Sequence, residues 1–303
     1  MTDQLRVCLL NDSFPPLIDG VANTVVNYAE TLTRLGDQVV VTTPSYPGAE
    51  DDSPYPVIRY PSLPTTRLVG YRAGYPFSAT LLSALEDFRP DLIHSHCPFM
   101  STMVARTLRE RVDVPMIFTY HTKFDIEIRR AVRSELLQAR AAQLVVGNIA
   151  ACDEVWVVSQ GAGENLRSLG YEGDMVVMEN GVDFPKGRAS QDQIDAILRE
   201  LQIPKEHPVY LFVGRLRWYK GIREILDGLA GLKRDGKSFT MVFVGQGEDQ
   251  GEMEAYAEKV GVGPDCRFPG SIHDREVLRG YYSMADLFLF PSSYDTFGLV
   301  VRE

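Results

Sequence analysis

The chain has 303 residues, 45% of them hydrophobic and 24% charged, the composition of a globular protein too long for one hydrophobic core and so divided into about two domains. A formal charge of -10 at pH 7 excludes a broad nucleic-acid surface, which needs a concentrated basic face, yet leaves room for a small anion in a local basic pocket. Cys8, Cys97, Cys152 and Cys266 form no CxxC pair and read as reduced core residues, no apolar stretch reaches the roughly 18 residues of a spanning helix, and the start shows no signal peptide, so a soluble, cytoplasmic protein is expected.

In chain order, apolar runs at Arg6 to Leu10, Gln38 to Thr43, Asp91 to His94, Met116 to Tyr120, Glu154 to Val158 and Met175 to Met178 alternate with helical patterns, which predicts an α/β domain on a mostly parallel sheet. The first helix runs from Ala22 to Leu35, with Val25, Val26, Ala29 and Leu32 on one side and Gly36 as its stop. Ahead of it stands Asp19-Gly20-Val21, where Gly20 serves either a plain tight turn or a phosphate approached by backbone N–H groups. His94 and His96, two apart on an extended segment, point to one face, and His121 ends another strand. Three imidazoles raise the question of zinc, but no acidic ligand lies close in sequence and no metal is expected. Between residues 123 and 140, Lys123, Arg129, Arg130, Arg133 and Arg140 outnumber Asp125, Glu127 and Glu135 by two on a roughly helical apolar pattern. That segment reads as a solvated helix face or, alternatively, as a surface for a membrane or an anionic acceptor.

From Asn180 to Pro208, turn-forming Asn, Gly and Pro residues surround one short polar helix, which makes this stretch a connector and gives expected domains of residues 1–184 and 185–303. A second strand series follows at Val209 to Val213, Phe239 to Val244 and Leu287 to Phe290. With three strands visible before Glu303, the second doubly wound domain is expected to be truncated, and the 303 residues to be inactive in transfer by themselves. Directly after the first of these strands come Gly214, Arg215 and, five positions on from that arginine, Lys220. A forked donor and a point charge leaving one strand end together suit a pyrophosphate, whereas Arg217 alternates away. Gly245 and Gly247 follow the next strand and suit the close approach of a nucleotide. After the third, Asp295 and Glu303 stand on one turn-helix unit. A glycosidase needs two carboxylates about 5 to 9 Å apart on opposite sides of a bond, so this pair reads as gripping a ligand from one side.

At Gly214-Arg215 to Lys220, and at Phe288 to Glu303 with seven residues between Asp295 and Glu303, the chain resembles the retaining glycosyltransferases of family four. The likeness departs from the family pattern at Asp295, where the usual residue is Glu, and at Asp19, where it is Gly. It implies a GT-B fold: α/β, two doubly wound Rossmann-like domains facing a cleft. It also implies transfer of a hexose from a nucleoside diphosphate sugar, a UDP- or GDP-sugar, to a hydroxyl acceptor with retention at the anomeric carbon and without metal or cofactor. By the same likeness Arg215 and Lys220 stabilise the leaving diphosphate, Asp295 holds sugar hydroxyls, Glu303 holds the ribose, and the amides of Phe297, Gly298 and Leu299 meet sugar and phosphate. Phe118 to Asp125 resembles the family's histidine loop, which assigns His121 to the transferred sugar, and Phe268 to Asp274 resembles the segment whose backbone, at Ile272, reads the base. The nearest likeness is to members that glucosylate diacylglycerol, which implies a lipid acceptor and a peripheral place at the inner membrane face. Two other classes stay open: an epimerase or hydrolase of nucleotide sugars, distinguished by its products with and without acceptor, and a non-catalytic binder, distinguished by binding without turnover.

Overall fold

The computed structural model describes residues 4–17, 19–65, 72–75, 78–292 and 295–303, with the side chain of Arg130 outside the described set. The chain divides into two compact units, Met1–Gly181 and Val182–Glu303.

The first unit is built on strands β1 (Arg6–Leu10), β2 (Gln38–Pro44), β3 (Val57–Tyr60), β6 (Leu92–Ser95), β7 (Met116–Tyr120), β8 (Glu154–Val157) and β9 (Val176–Val177), all paired in parallel in the order β3-β2-β1-β6-β7-β8-β9. A small antiparallel pair, β4 (Ser62–Leu63) and β5 (Ala73–Gly74), stands apart. Helices α1 (Gly20–Leu35), α2 (Ala79–Phe88), α3 (Met100–Val112), α4 (Phe124–Ala131), α5 (Glu135–Ile149) and α6 (Gln160–Ser168) make the connections. Side chains alternate across a strand, so one run feeds two cores. Cys8, Leu10 and Val40 pack with Leu85, Val104 and Leu108, while Val7, Leu9, Val39 and Val41 pack with Val25 and Ala29. Helix α1 stops where expected, at Gly36 with φ 100°, a left-handed cap that glycine adopts without strain. The sheet order reverses between β1 and β6, the point at which chains of this topology leave a crevice at their carboxyl strand ends.

The second unit contains α7 (Gln191–Glu200), β10 (Val209–Val213), α8 (Ile222–Arg234), β11 (Thr240–Val244), α9 (Gln250–Lys259), β12 (Cys266–Gly270), α10 (Arg275–Met284), β13 (Leu287–Phe288) and α11 (Leu299–Arg302). Its sheet is parallel in the order β12-β11-β10-β13, which among the described residues is four strands rather than the three expected. The extra strand is β12. It lies at the edge, where the missing N–H of Pro269 removes no bond from the middle of the sheet. Phe212, Leu226, Met241 and Phe243 fill one face, and Leu211, Val213, Val242 and Ile197 the other.

Candidate donor-binding site

Three strands of the second unit end side by side, and the glycines there answer to neighbouring backbone. The Gly214 amide donates to the Val244 carbonyl at 3.0 Å, the Leu216 amide to Gln246 at 3.0 Å, and the Gly245 amide to Gly270 at 2.9 Å. A Cβ on Gly245 would stand 1.9 Å from the Gly214 carbonyl oxygen, and one on Gly247 would stand 1.9 Å from that of Leu216. The close approach expected at these two residues is therefore made by the chain itself. Along the segment leaving β10, Arg215 is exposed, Leu216 is fully buried and Arg217 turns to Glu248 at 2.6 Å; strand alternation would place Arg215 and Arg217, two apart, on one face, so it is this ion pair and not alternation that engages Arg217 elsewhere.

Residues Trp218 to Lys220 form one turn of 3-10 helix that ends at Gly221, φ 79°. A side chain at Gly221 is barred twice, by that φ and by the Pro291 carbonyl oxygen 2.2 Å from where its Cβ would be. Because β13 pairs with β10, the segment after β13 lies against this turn, and residues 75 apart in sequence meet: Lys220 Nζ is 2.6 Å from Asp295 Oδ2. The ammonium also stands 5.4 Å from the centre of the Phe290 ring. The other Asp295 oxygen accepts the Gly298 amide at 3.2 Å. Gly298, at φ 65°, opens α11. Ser293 and Tyr294, within the same segment, lie outside the described residues. A cation, a carboxylate and a backbone amide thus converge and satisfy one another, and a phosphate or a sugar hydroxyl would bind there by taking over the Lys220 or the Asp295 side of these bonds.

Phe297 carries the Arg302 guanidinium 5.2 Å from its ring centre, and Leu299 begins α11 half-buried. Glu303 is exposed and accepts the Tyr282 hydroxyl at 2.8 Å, beside a cavity of about 400 Å³ whose walls include Phe184, Arg188, Arg279 and Arg302. Burial first, and then the neighbouring Glu303, pushes the Tyr282 phenol well above its ordinary range. Ile272 is half-buried against the core cluster that holds Val244 and Met284.

The remaining candidates belong to the first unit. Gly20 opens α1, but the Asp19 carboxylate already accepts the amides of Val21 at 2.9 Å and Ala22 at 2.8 Å, the donors a phosphate would use there. His121 is buried just beyond β7, and its Nε2 lies 2.9 Å from His96 Nδ1. His94 Nε2 lies 2.7 Å from the Thr119 hydroxyl, and the rings of His94 and His96 are 4.1 Å apart. Burial pushes His94 and His121 down to about 3 and His96 well below its usual value, so all three are neutral at pH 7. Among the described residues no group of three or more His, Cys, Asp or Glu is placed to hold a metal ion.

Two acids escaped the sequence reading. Asp12, just past β1, accepts the Ser101 amide at 2.8 Å and the Met100 amide at 3.2 Å, capping α3 from across the reversal point of the sheet. Its burial raises the carboxyl. Asp249 holds the turn that carries Lys220, as developed below. In both, the partner lies far along the chain, and no local pattern announces it.

The model of Glycosyltransferase Family 4 matches residues 18–185, and that of Glycosyl transferases group 1 matches residues 193–303. The chain is 24% identical over 312 residues to an alpha-monoglucosyldiacylglycerol synthase of Acholeplasma laidlawii, covering 99% of this chain and 77% of that protein. It is 28% identical over 305 residues to a GDP-mannose-dependent alpha-mannosyltransferase of Mycobacterium tuberculosis, covering 99% and 76%. These matches run along essentially the whole chain and lend no support to the expected truncation. In fold it is similar to sucrose-phosphate synthase of Thermosynechococcus elongatus (TM-score 0.74, 23% identity, 98% of this chain and 78% of that one). It is similar also to HepE of Anabaena in complex with UDP (TM-score 0.75, 17% identity, 98% and 77%). The two parallel-sheet units are those of the GT-B architecture.

Proposed function

This chain belongs to Glycosyltransferase Family 4 and is a glycosyltransferase acting on a nucleotide-sugar donor, and on that premise we propose that it transfers a hexose, with retention, from a UDP- or GDP-sugar to a lipid hydroxyl. The observation that carries this reading is the meeting of Lys220 and Asp295 beside the Gly298 amide. On donor binding, Lys220 and Arg215 take up charge growing on the leaving diphosphate, and Asp295 takes a sugar hydroxyl. The bond from the anomeric carbon to the phosphate oxygen breaks, the acceptor oxygen bonds to that carbon on the same face, and the acceptor's proton passes to the departing phosphate oxygen. His121 contacts the sugar, Ile272 the base, and Glu303 the ribose. No metal enters these steps.

A lipid acceptor is supported by the relative named as a monoglucosyldiacylglycerol synthase and by the outer face of α5. Leu136, Leu137, Arg140 and Leu144 are spaced to share one side of that helix, all are exposed, and exposed Arg129 and Arg133 precede them. Apolar and basic side chains interleaved on one face suit an anionic bilayer surface, and place the enzyme peripherally on a membrane. No helix among the described residues is long and apolar enough to cross one. The test supplies UDP-glucose, GDP-mannose or their bare diphosphates with vesicles containing diacylglycerol and reads the product by NMR. An α-linked glycolipid is expected. Free sugar alone would convert the reading to a hydrolase, and a β-linked product would overturn retention.

A further inference from the structure

A three-residue turn of 3-10 helix does not hold itself in place, so something outside it must fix the turn that carries Lys220. Two contacts do so from α9. The Trp218 amide, an orphan donor at the start of the turn, donates to Asp249 Oδ2 at 3.0 Å. The Trp218 indole N–H donates to Glu252 at 3.1 Å, and Arg223 lies 4.5 Å from the ring centres of both Trp218 and Tyr256. Arg217, at the N-cap of the turn, reaches Glu248 at 2.6 Å and the second Asp249 oxygen at 3.4 Å.

The position of Asp249 makes this arrangement informative. It occupies the N-cap of its own helix, where Asp is a preferred residue, yet its side chain makes no capping bond there. Its carboxylate instead caps a turn 31 residues earlier in the chain. The backbone of the turn is thus pinned at its first residue, and Lys220, whose amide donates to the Arg217 carbonyl at 3.0 Å, is pinned with it.

We propose that Asp249 is a positioning residue for Lys220: by capping the Trp218–Lys220 turn from α9 it sets where the lysine ammonium stands when a nucleoside diphosphate binds. The assignment rests on the reading that Lys220 meets the diphosphate. Asp249 touches no ligand itself, and its effect passes through the backbone of the turn.

The experiment is a double-mutant cycle read by calorimetric titration with UDP and with GDP. Asp249→Ser restores a good N-cap to α9 but is too short to reach the Trp218 amide, so the helix is preserved while the distant cap is withdrawn. Asp249→Asn keeps an acceptor oxygen at the right length. Asp249→Ser is expected to weaken diphosphate binding about fivefold, the scale of one hydrogen bond, with Asp249→Asn within about twofold of the parent. In a Lys220→Ala background Asp249→Ser is expected to change nothing further. Unchanged affinity in a folded Asp249→Ser protein overturns the proposal, and so does an equal loss with and without Lys220, which would mark a general structural effect. If Lys220→Ala alone leaves affinity unchanged, the diphosphate reading of Lys220 fails first, and the positioning role falls with it.

Discussion

Lys220 and Asp295 form a half-buried pair, so removing either leaves the other in partial burial, and the two losses are distinguishable by ligand. On the proposed function, Lys220→Ala should weaken UDP or GDP about tenfold or more, by the loss of one charge-assisted phosphate contact, whereas Asp295→Ala should weaken the nucleotide sugar more than the bare diphosphate. Titration of both ligands against both variants checks this. His121→Ala should slow transfer and spare diphosphate affinity, which single-turnover assays beside the same titrations would read. The buried imidazoles also predict a pH dependence of stability. Their folded values lie below the unfolded value near 6.5, so the unfolded chain binds protons first as pH falls. Stability should therefore be level above about pH 6.5 and fall toward pH 3, at about 1.4 kcal/mol per pH unit for each imidazole. Asp12, shifted upward by its burial, opposes this slope, but one carboxyl is set against three imidazoles. Urea midpoints at pH 7.5 and 5.5 decide the sign, and His94→Gln should reduce the difference.

The strand ends of the second unit set which residues could stand there. Gly245→Ala and Gly247→Ala each drive a Cβ into a carbonyl oxygen, and each should cost about 2 to 4 kcal/mol in urea denaturation. Gly20→Ala, whose Cβ would meet nothing within 4 Å, should cost under about 1 kcal/mol and serves as the control. The main elements were legible because buried parallel strands are written as apolar runs: Val209 to Val213 and Met116 to Tyr120 were read to the residue. Strand β12 was not, since Arg267, Pro269 and Gly270 interrupt any apolar run and only its place at the edge permits them. Strand β3 gave no apolar run either, because Arg59, drawn to Asp51, interrupts it. In the candidate site, spacing after strands picks out Lys220 and Asp295, which the fold brings together, but their bond, the Asp12 cap and the Asp249 cap depend on chain crossings that no local spacing encodes.

Across the whole molecule the charge of -10 and the basic α4–α5 segment pull in opposite directions, and ionic strength separates them. Sedimentation with anionic vesicles should occur at low salt, decline as salt shortens the range of the attraction, and vanish in Arg129→Glu, Arg133→Glu, Arg140→Glu protein. Absence of sedimentation at low salt would return α5 to an ordinary solvated face. The acidity has a second outcome at the donor site. An approaching anion is repelled by the molecule at large, and at Lys220 it finds Asp295 already in contact, a tethered competitor present at an effective concentration no free ion matches. Orthophosphate or sulfate can satisfy the lysine only by stranding the aspartate. On the proposed reading, a nucleotide sugar offers phosphate to one and hydroxyls to the other in the same molecule, so the resting ion pair weighs most against the abundant simple anions, less against a diphosphate held also by its nucleoside, and least against the complete donor.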